Sequence, residues 1–261
     1  MTDTRLSQAV ILAAGRGTRM GIDHPKCLQV VGGKPIIEWT LGALHDAGID
    51  DVLIVAGFRS DLLASMIDRR CEIRVNERWS ESNMVRSLQC ADDWLARSST
   101  LVLYGDGAYG HRAIAHVINA VDDSQIALPI DRAWLDLWRM RFDNPLVDAE
   151  TLTTRNGRIA SIGSRATTLA EIEGQFMGLL ALRPSGWDTI ATHLRHTDRE
   201  DGAAAVDRMD CTTLLSRLIA RSVAIDCIDV DGGWCEFDSR SDCVAVERAL
   251  DRPGFRHDFR S

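Results

Sequence analysis

The segment Ala14-Gly15-Arg16-Gly17-Thr18-Arg19-Met20 has what an anion-binding loop needs. Glycines let the main chain approach a phosphate, and successive N–H groups in such a loop form a concave nest for it. Arg16, Arg19 and, shortly after, Lys26 add positive charge. A tight strand-to-helix turn would account for Gly15-x-Gly17 alone, but not for two arginines with Pro25-Lys26 attached. A dinucleotide fingerprint fits less well. Its third glycine position holds Met20, and the second clear strand ends at Ala56-Gly57-Phe58 without the acid that would meet a ribose. The expected chemistry is capture of a triphosphate, not hydride transfer.

Two further places carry reactive groups. Asn83 opens a helical segment, and Asp106 lies between two glycines after an apolar run. The stretch from Asp131 to Arg141 (DRAWLDLWRMR) is aromatic and charged. Trp134 and Trp138 are four apart and share a face on a helix. Paired aromatics beside carboxylates such as Asp131 suit an ammonium head. Arg139 and Arg141 could grip a phosphate or phosphonate in bidentate fashion, and Glu171 or Glu173 could receive an amine. The plainer alternatives are that the tryptophans pack into the core, Asn83 caps a helix, Asp106 is a turn residue and Glu173 is structural.

These residues need strands to hold them. Gln8–Ala14, Asp51–Ala56, Cys71–Val75, Thr100–Tyr104 and Gln125–Ile130 read as buried strands. Helical spacing predicts helices over Lys34–Gly48, Ser60–Arg69, Ser82–Ala96 and Ala113–Val121. Strands alternating with helices mean βαβ units in a doubly wound, mainly parallel α/β sheet, with the ligand at the carboxyl ends of the strands. Farther on, a hairpin is expected over Val147–Ile162 with Asn156-Gly157 as its turn. A strand over Ile172–Leu182, a helix over Pro184–Leu194 and a polar loop over Arg195–Val206 follow. The chain should close with helix Cys211–Ala220, strand Ala224–Val230 and helix Ser241–Leu250. The expected organisation is a single domain over 1–261. Residues 1–130 form a nucleotide-binding half; residues 131–261 form an acceptor-binding, metal-completing half with a small lid-like insertion.

Bulk properties narrow the class. The 261 residues carry a net charge of −8 and are 45% hydrophobic. That balance supports a sizeable core and disfavours nucleic acid as a partner, which needs a basic face. No apolar stretch approaches the roughly 18 residues that span a bilayer, and the polar start does not resemble a signal peptide. Seven scattered cysteines with no C-x-x-C pair suggest reduced thiols and a cytoplasmic location. A homodimer is compatible with the sequence, which does not fix the oligomeric state.

Three segments in order, Leu12–Met20, Pro25-Lys26 and Gly33-Lys-Pro-Ile-Ile-Glu-Trp39, resemble the signature of the nucleoside-triphosphate transferase superfamily that activates sugar phosphates and small alcohol phosphates. Ala13-Ala14-Gly15 resembles its pyrimidine-nucleotide branch. Ser82–Leu88, Glu173–Gly178 and Trp234–Ser239 look like the phosphocholine and 2-aminoethylphosphonate cytidylyltransferases. The resemblance implies a CTP-dependent transfer of CMP to a small phosphate or phosphonate, with pyrophosphate released. It implies nucleotide contacts from Leu12, Ala13, Ala14, Gly15, Gly17 and Thr18. Asn83 and Ser87 would lie at the base or ribose. Arg16 and Lys26 would neutralise the triphosphate, and Mg²⁺ would be held by Asp106 and Asp238. Glu236 is a rival ligand, since Asp238 could instead cap the last helix. A UTP-dependent sugar 1-phosphate transferase and a nucleotide sensor without activity are the other readings.

Overall fold

The computed structural model describes residues 5–67 and 71–260. Strand β1 (Gln8–Ala13) is buried along its whole length, as its unbroken apolar run requires. A two-stranded ribbon, β2 (Val30–Val31) and β3 (Lys34–Pro35), leads into α1 (Ile36–Asp46). Then come β4 (Asp51–Ala56), α2 (Ser60–Met66), β5 (Cys71–Val75), α3 (Met84–Gln89), α4 (Asp92–Arg97) and β6 (Thr100–Tyr104). The middle of the chain holds β7 (Gly107–Tyr109), α5 (His111–Ala120), β8 (Ile126–Asp131), α6 (Trp134–Arg141), β9 (Glu150–Arg155), β10 (Arg158–Arg165), β11 (Gln175–Phe176) and β12 (Leu179–Leu182). Helices α7 (Pro184–Asp201), α8 (Ala203–Asp207) and α9 (Cys211–Ala220) precede β13 (Asp226–Val230), β14 (Trp234–Glu236) and α10 (Arg240–Leu250).

One ten-stranded sheet runs through the molecule in the order β5-β4-β1-β6-β12-β8-β13-β10-β9, with β11 paired to β8. Strands β5, β4, β1 and β6 are mutually parallel, and β13 is parallel to β8. The chain leaves β1 in one direction through β4 and β5, then returns to its other side at β6. That reversal makes a crevice beyond the carboxyl ends of β1 and β6, the usual ligand position in such sheets. Apolar clusters cover both faces, one around Ile11, Ile54, Leu103 and Phe237, the other around Val10, Leu53, Val102 and Leu214.

Several expected boundaries move for identifiable reasons. The helix expected from Lys34 starts at Ile36 because Lys34 and Pro35 pair with the β2 strand. The helix expected over Ser82–Ala96 is two, broken at Cys90-Ala91. The helix expected over Ser60–Arg69 is seen to Met66, and residues 68–70 lie outside the described residues. The strand expected over Ile172–Leu182 is interrupted at Gly178, which has φ +69°; a Cβ there would lie 2.8 Å from the Tyr104 ring. The loop expected over Arg195–Val206 is wrong. Helix α7 continues to Asp201, because Trp187, Ile190, Leu194 and Thr197 keep one buried stripe while the polar residues face water. The hairpin forms around Asn156 and Gly157, both at positive φ, and β10 joins β13 at the sheet edge. The two expected halves therefore share one sheet.

Candidate active site

The loop after β1 turns sharply at Gly17. Its φ is +63°, and a Cβ would come within 3.0 Å of the Lys26 side chain. Gly17 thus serves two ends, a left-handed turn and a channel for Lys26 to pass. At Gly15 a Cβ would meet nothing within 4 Å. Packing does not demand a glycine there, but open space beside a main chain is what a phosphate needs. Leu12, Ala13, Ala14, Gly15, Gly17, Lys26, Asn83, Ser87 and Asp106 line one cavity, together with Trp79 and Tyr104. The structure brings these residues, which the sequence reading expected to meet a nucleotide, to one place. Trp79, which that reading did not single out, stands edge-on to Phe58 with 5.4 Å between ring centroids. It packs where a Cβ at Gly57 would clash at 2.5 Å.

Ser87 is buried, and its hydroxyl accepts from Asn76 Nδ2 at 3.1 Å. Asn83 caps α3, its Oδ1 accepting from the Met84 N–H at 2.8 Å, while still bordering the cavity. Thr18 and Arg16 are exposed at the rim, and the Arg16 guanidinium lies over the Phe58 ring at 5.1 Å.

A second, two-stranded sheet completes the centre. β14 pairs with β7 so that Glu236 stands opposite Gly107, and the Phe237 N–H donates to the Asp106 carbonyl at 3.1 Å. Residues far apart in sequence are thereby joined. Asp106, Glu236 and Asp238 offer carboxylate oxygens within 4.8 Å of one another. Lys26 Nζ donates to Asp106 at 2.9 Å and to Asp238 at 2.7 Å. Burial works against the Lys26 charge, yet the two carboxylates hold its pKa above the ordinary lysine range. Burial lifts the Glu236 carboxyl above its usual range, against the pull of Arg141. It acts on Asp238 in the same sense, but Lys26 and Arg141 hold that group below its usual value. Asp106 Oδ1 is buried with no hydrogen-bond partner. An orphaned oxygen among three converging carboxylates fits a divalent cation that takes oxygen ligands.

Arg141 is not an acceptor-binding residue in this geometry. Its side chain is fully buried and donates to Glu236 at 2.6 Å, Asp238 at 3.1 Å and Asp242 at 3.3 Å. It holds the acidic cluster in place and has no free edge for a substrate. Asp131 is likewise misassigned. It is fully buried and accepts from the Ala133 and Gly232 N–H groups, Trp234 Nε1 and His257 Nε2. Trp134 is core, edge-on to Trp138 at 5.9 Å. Arg139 is exposed away from the cavities, and Glu173 accepts from the backbone and side chain of Thr154 on the sheet edge. Glu171 closes a capping box with Thr168.

Of the expected acceptor residues, Arg141 braces the centre from behind and Trp138 alone lines a cavity beside it. It lines a second cavity of about 360 Å³ that opens onto Asp106, Glu236 and Asp238. The walls of that cavity come from Phe176, in the Glu173–Gly178 segment, and from residues the sequence did not single out, notably Asp148, Glu150 and Asp210. Trp138 Nε1 donates to Asp148 at 3.0 Å. Burial raises the Asp148 carboxyl, with Asp238 adding repulsion; burial also raises Glu150, with Asp210 and Asp148 adding theirs. Among the described residues lining this cavity, the only cation is Arg19, which is bound to Asp238 at 3.1 Å. No local spacing could have revealed this set, since four separate segments supply it.

Comparison with known proteins agrees with this geometry. Residues 9–210 match the MobA-like NTP transferase domain. The chain is 32% identical over 253 residues to CTP:phosphoglutamine cytidylyltransferase of Campylobacter jejuni, covering 92% of this chain and 99% of that protein. It is 32% identical over 110 residues to the bifunctional protein GlmU of Hyphomonas neptunium, covering 41% of this chain and only 24% of that protein. In fold it is similar to the inositol-1-phosphate CTP transferase of T. maritima, with a TM-score of 0.72 over 97% of this chain and 99% of that one at 16% identity. The CTP:phosphocholine cytidylyltransferase of Streptococcus pneumoniae gives 0.69 over 95% and 100% at 19% identity. No helix among the described residues is long and apolar enough to cross a membrane. By its family match over residues 9–210 and its full-length relative, the chain, with a glycine loop, a lysine and three converging carboxylates at the sheet's crossover point, belongs to the MobA-like NTP transferase family and is a nucleotidyltransferase.

Proposed function

We propose that the protein transfers CMP from CTP to a small phosphate or phosphonate bearing a cationic head, releasing pyrophosphate. The observation that carries this reading is the placement of Lys26 and the Asp106–Glu236–Asp238 cluster between two cavities of opposite character. One is walled by backbone, Asn83, Ser87 and Trp79; the other is acidic and aromatic.

In this reading the base and ribose lie against Leu12–Gly15, Asn83 and Ser87, and the triphosphate follows the Gly15–Thr18 backbone. Asp106 and Asp238, with Glu236 beside them, would hold Mg²⁺, which would neutralise phosphate oxygens when bound. An acceptor oxygen attacks the α-phosphorus in line; a new P–O bond forms as the α–β bridging bond breaks, and its electron pair leaves with pyrophosphate. The nucleophile is already an anion, so the protein's task is positioning and neutralisation, and no side-chain base is needed. Lys26 is within reach of both carboxylates and can donate to the phosphate charge that builds between them. Arg16 and Arg19 stand at the rim of the same loop.

The acceptor head follows from electrostatics. Asp148, Glu150 and Asp210 crowd like charges into a partly dry cavity, and a cation among them relieves that repulsion. Trp138, Phe176 and Tyr104 add aromatic surface suited to an ammonium. A free carboxylate on the acceptor would find no unpaired cation among the lining residues, which favours phosphocholine-like or 2-aminoethylphosphonate-like acceptors over amino-acid phosphates. The test is pyrophosphate release from each of four nucleoside triphosphates with Mg²⁺ across phosphocholine, 2-aminoethylphosphonate, an amino-acid phosphate and a sugar 1-phosphate. Release with CTP and an amine-bearing acceptor is expected. Release only with UTP and the sugar phosphate would replace this reading, and silence across the panel would point to a sensor.

A further inference from the structure

Asp207 lies on the far side of the nucleotide wall, away from Lys26 and the carboxylate cluster, yet it is almost wholly buried. Its two oxygens take two different arginines: Oδ2 accepts from Arg78 Nη2 at 2.8 Å, and Oδ1 from Arg86 Nε at 2.6 Å. Arg78 sits in the turn that carries Trp79, and Arg86 is on α3, one residue before Ser87. The main chain reinforces the joint. The Asn83 N–H donates to the Asp207 carbonyl at 2.7 Å, Asn83 Nδ2 to the Arg208 carbonyl at 3.4 Å, and the Val85 N–H to the Met209 carbonyl at 3.4 Å. The next residue, Asp210, caps α9 by accepting from the Thr213 N–H at 2.7 Å, and it lines the acidic cavity.

We propose that Asp207 is a positioning residue that joins the nucleotide wall (Trp79, Asn83, Ser87) to the acceptor wall (Asp210, Thr212) as one mechanical unit, so that a nucleotide settling against the first orders the second. The inference rests on the two-cavity reading above. The chain supplies the physical link: four consecutive residues, 207–210, contact the base side at one end and the acceptor side at the other. An Asp that merely stabilised a surface helix would need one arginine; this one closes a fork across the turn and α3. Ordering the acceptor wall before the acceptor arrives lowers the cost of its binding, which is positive coupling between the two ligands.

Hydrogen exchange on the full-length protein tests this, with Mg²⁺–CTP as the probe ligand and the variants Asp207→Asn and Asp207→Glu. In the wild type, CTP should slow exchange in residues 76–88 and also in 208–214. In Asp207→Asn the protection of 208–214 should be lost by about tenfold in rate while that of 76–88 is reduced but present. Asp207→Glu should restore part of the coupling. The kinetic counterpart is a rise in the KM for both CTP and 2-aminoethylphosphonate in Asp207→Asn, with kcat less affected. Protection confined to 76–88 in the wild type overturns the proposal, as does a variant that loses thermal stability but keeps the coupled protection. If CTP protects nothing, the nucleotide reading itself fails. Ligand-free exchange then decides the joint: accelerated exchange of 76–88 together with 208–214 in Asp207→Asn supports it, and acceleration of 208–214 alone refutes it.

Discussion

The nucleotide side and the acceptor side of this cleft are built on different plans. The first sets the backbone of one continuous segment, Leu12 to Lys26, where Gly17 makes room for the lysine, against Trp79, Asn83, Ser87, Tyr104 and Asp106. The second is a convergence of side chains from separate elements, Trp138 on α6, Asp148 and Glu150 at the start of the hairpin, Phe176 on β11 and Asp210 before α9. A site made of backbone depends on a short local pattern. A site made of distant side chains depends on the whole sheet being in register.

The sharpest way to break this division is at its centre. Lys26→Ala should cut turnover by about a thousandfold, equivalent to about 4 kcal/mol of barrier, with circular dichroism unchanged. Near-normal turnover would remove the lysine from the mechanism and with it the nucleotide-side assignment. Next comes Asp131→Ala, which strips a fully buried carboxylate of contacts to two main-chain N–H groups, Trp234 and His257. Stability measured by urea unfolding should fall by about 3 kcal/mol. A selective rise in acceptor KM at unchanged stability would instead return Asp131 to the acceptor site.

Asp148→Asn and Glu150→Gln should each raise the acceptor KM about tenfold and leave the CTP KM alone, the size expected for losing one charged partner of an ammonium. The pH dependence sharpens the same point. Both carboxyls are raised, and burial is the main cause in each; Asp210 and Asp148 add to it at Glu150, while at Asp148 the attraction of Arg141 partly offsets it and Asp238 adds repulsion. Their ionised forms therefore cost the unliganded fold stability, which should recover as pH falls through the raised range. Acceptor binding needs the ionised forms and should weaken over that same range. A flat acceptor KM from neutral pH down to 4 would count against the pair. At the small end, Arg139→Ala and Glu173→Gln should change neither KM detectably, with stability within about 0.5 kcal/mol of wild type.

The difference in plan also explains what the sequence revealed. Residues 12–26 form a loop whose chemistry is local, so the glycines, Lys26 and the strand before them could be read directly. Asp106 was readable because it directly follows a strand that must be buried. The acceptor wall was not. The densest chemical-looking stretch, Asp131 to Arg141, put its groups to structural use: Trp134 in the core, Asp131 pinning the C-terminal segment, Arg141 bracing the acidic cluster. The period of an amphipathic helix says which face is buried, but not whether the buried face meets a core or a cavity. For Trp138 it meets both. The α7 error has the same root, since polar residues from Arg195 onward looked like a loop although Thr197 extends the buried stripe of Trp187, Ile190 and Leu194.

Strand β12 lies antiparallel between β6 and β8, with Ala181 opposite Ala127 and Leu182 opposite Ile126. The chain therefore comes back beside the place where β8 ended, having added β9, β10 and β11 to the sheet on the way. Everything between, residues 132–178, is an excursion with adjacent ends, and it carries Trp138, Asp148, Glu150 and Phe176. In protein-engineering terms this is a cassette: on the proposed reading, a different excursion spliced at the same two strands would change the acceptor while the nucleotide side kept its own scaffold. Arg141 sets the condition for such a graft, because any replacement segment must still reach across to Glu236, Asp238 and Asp242.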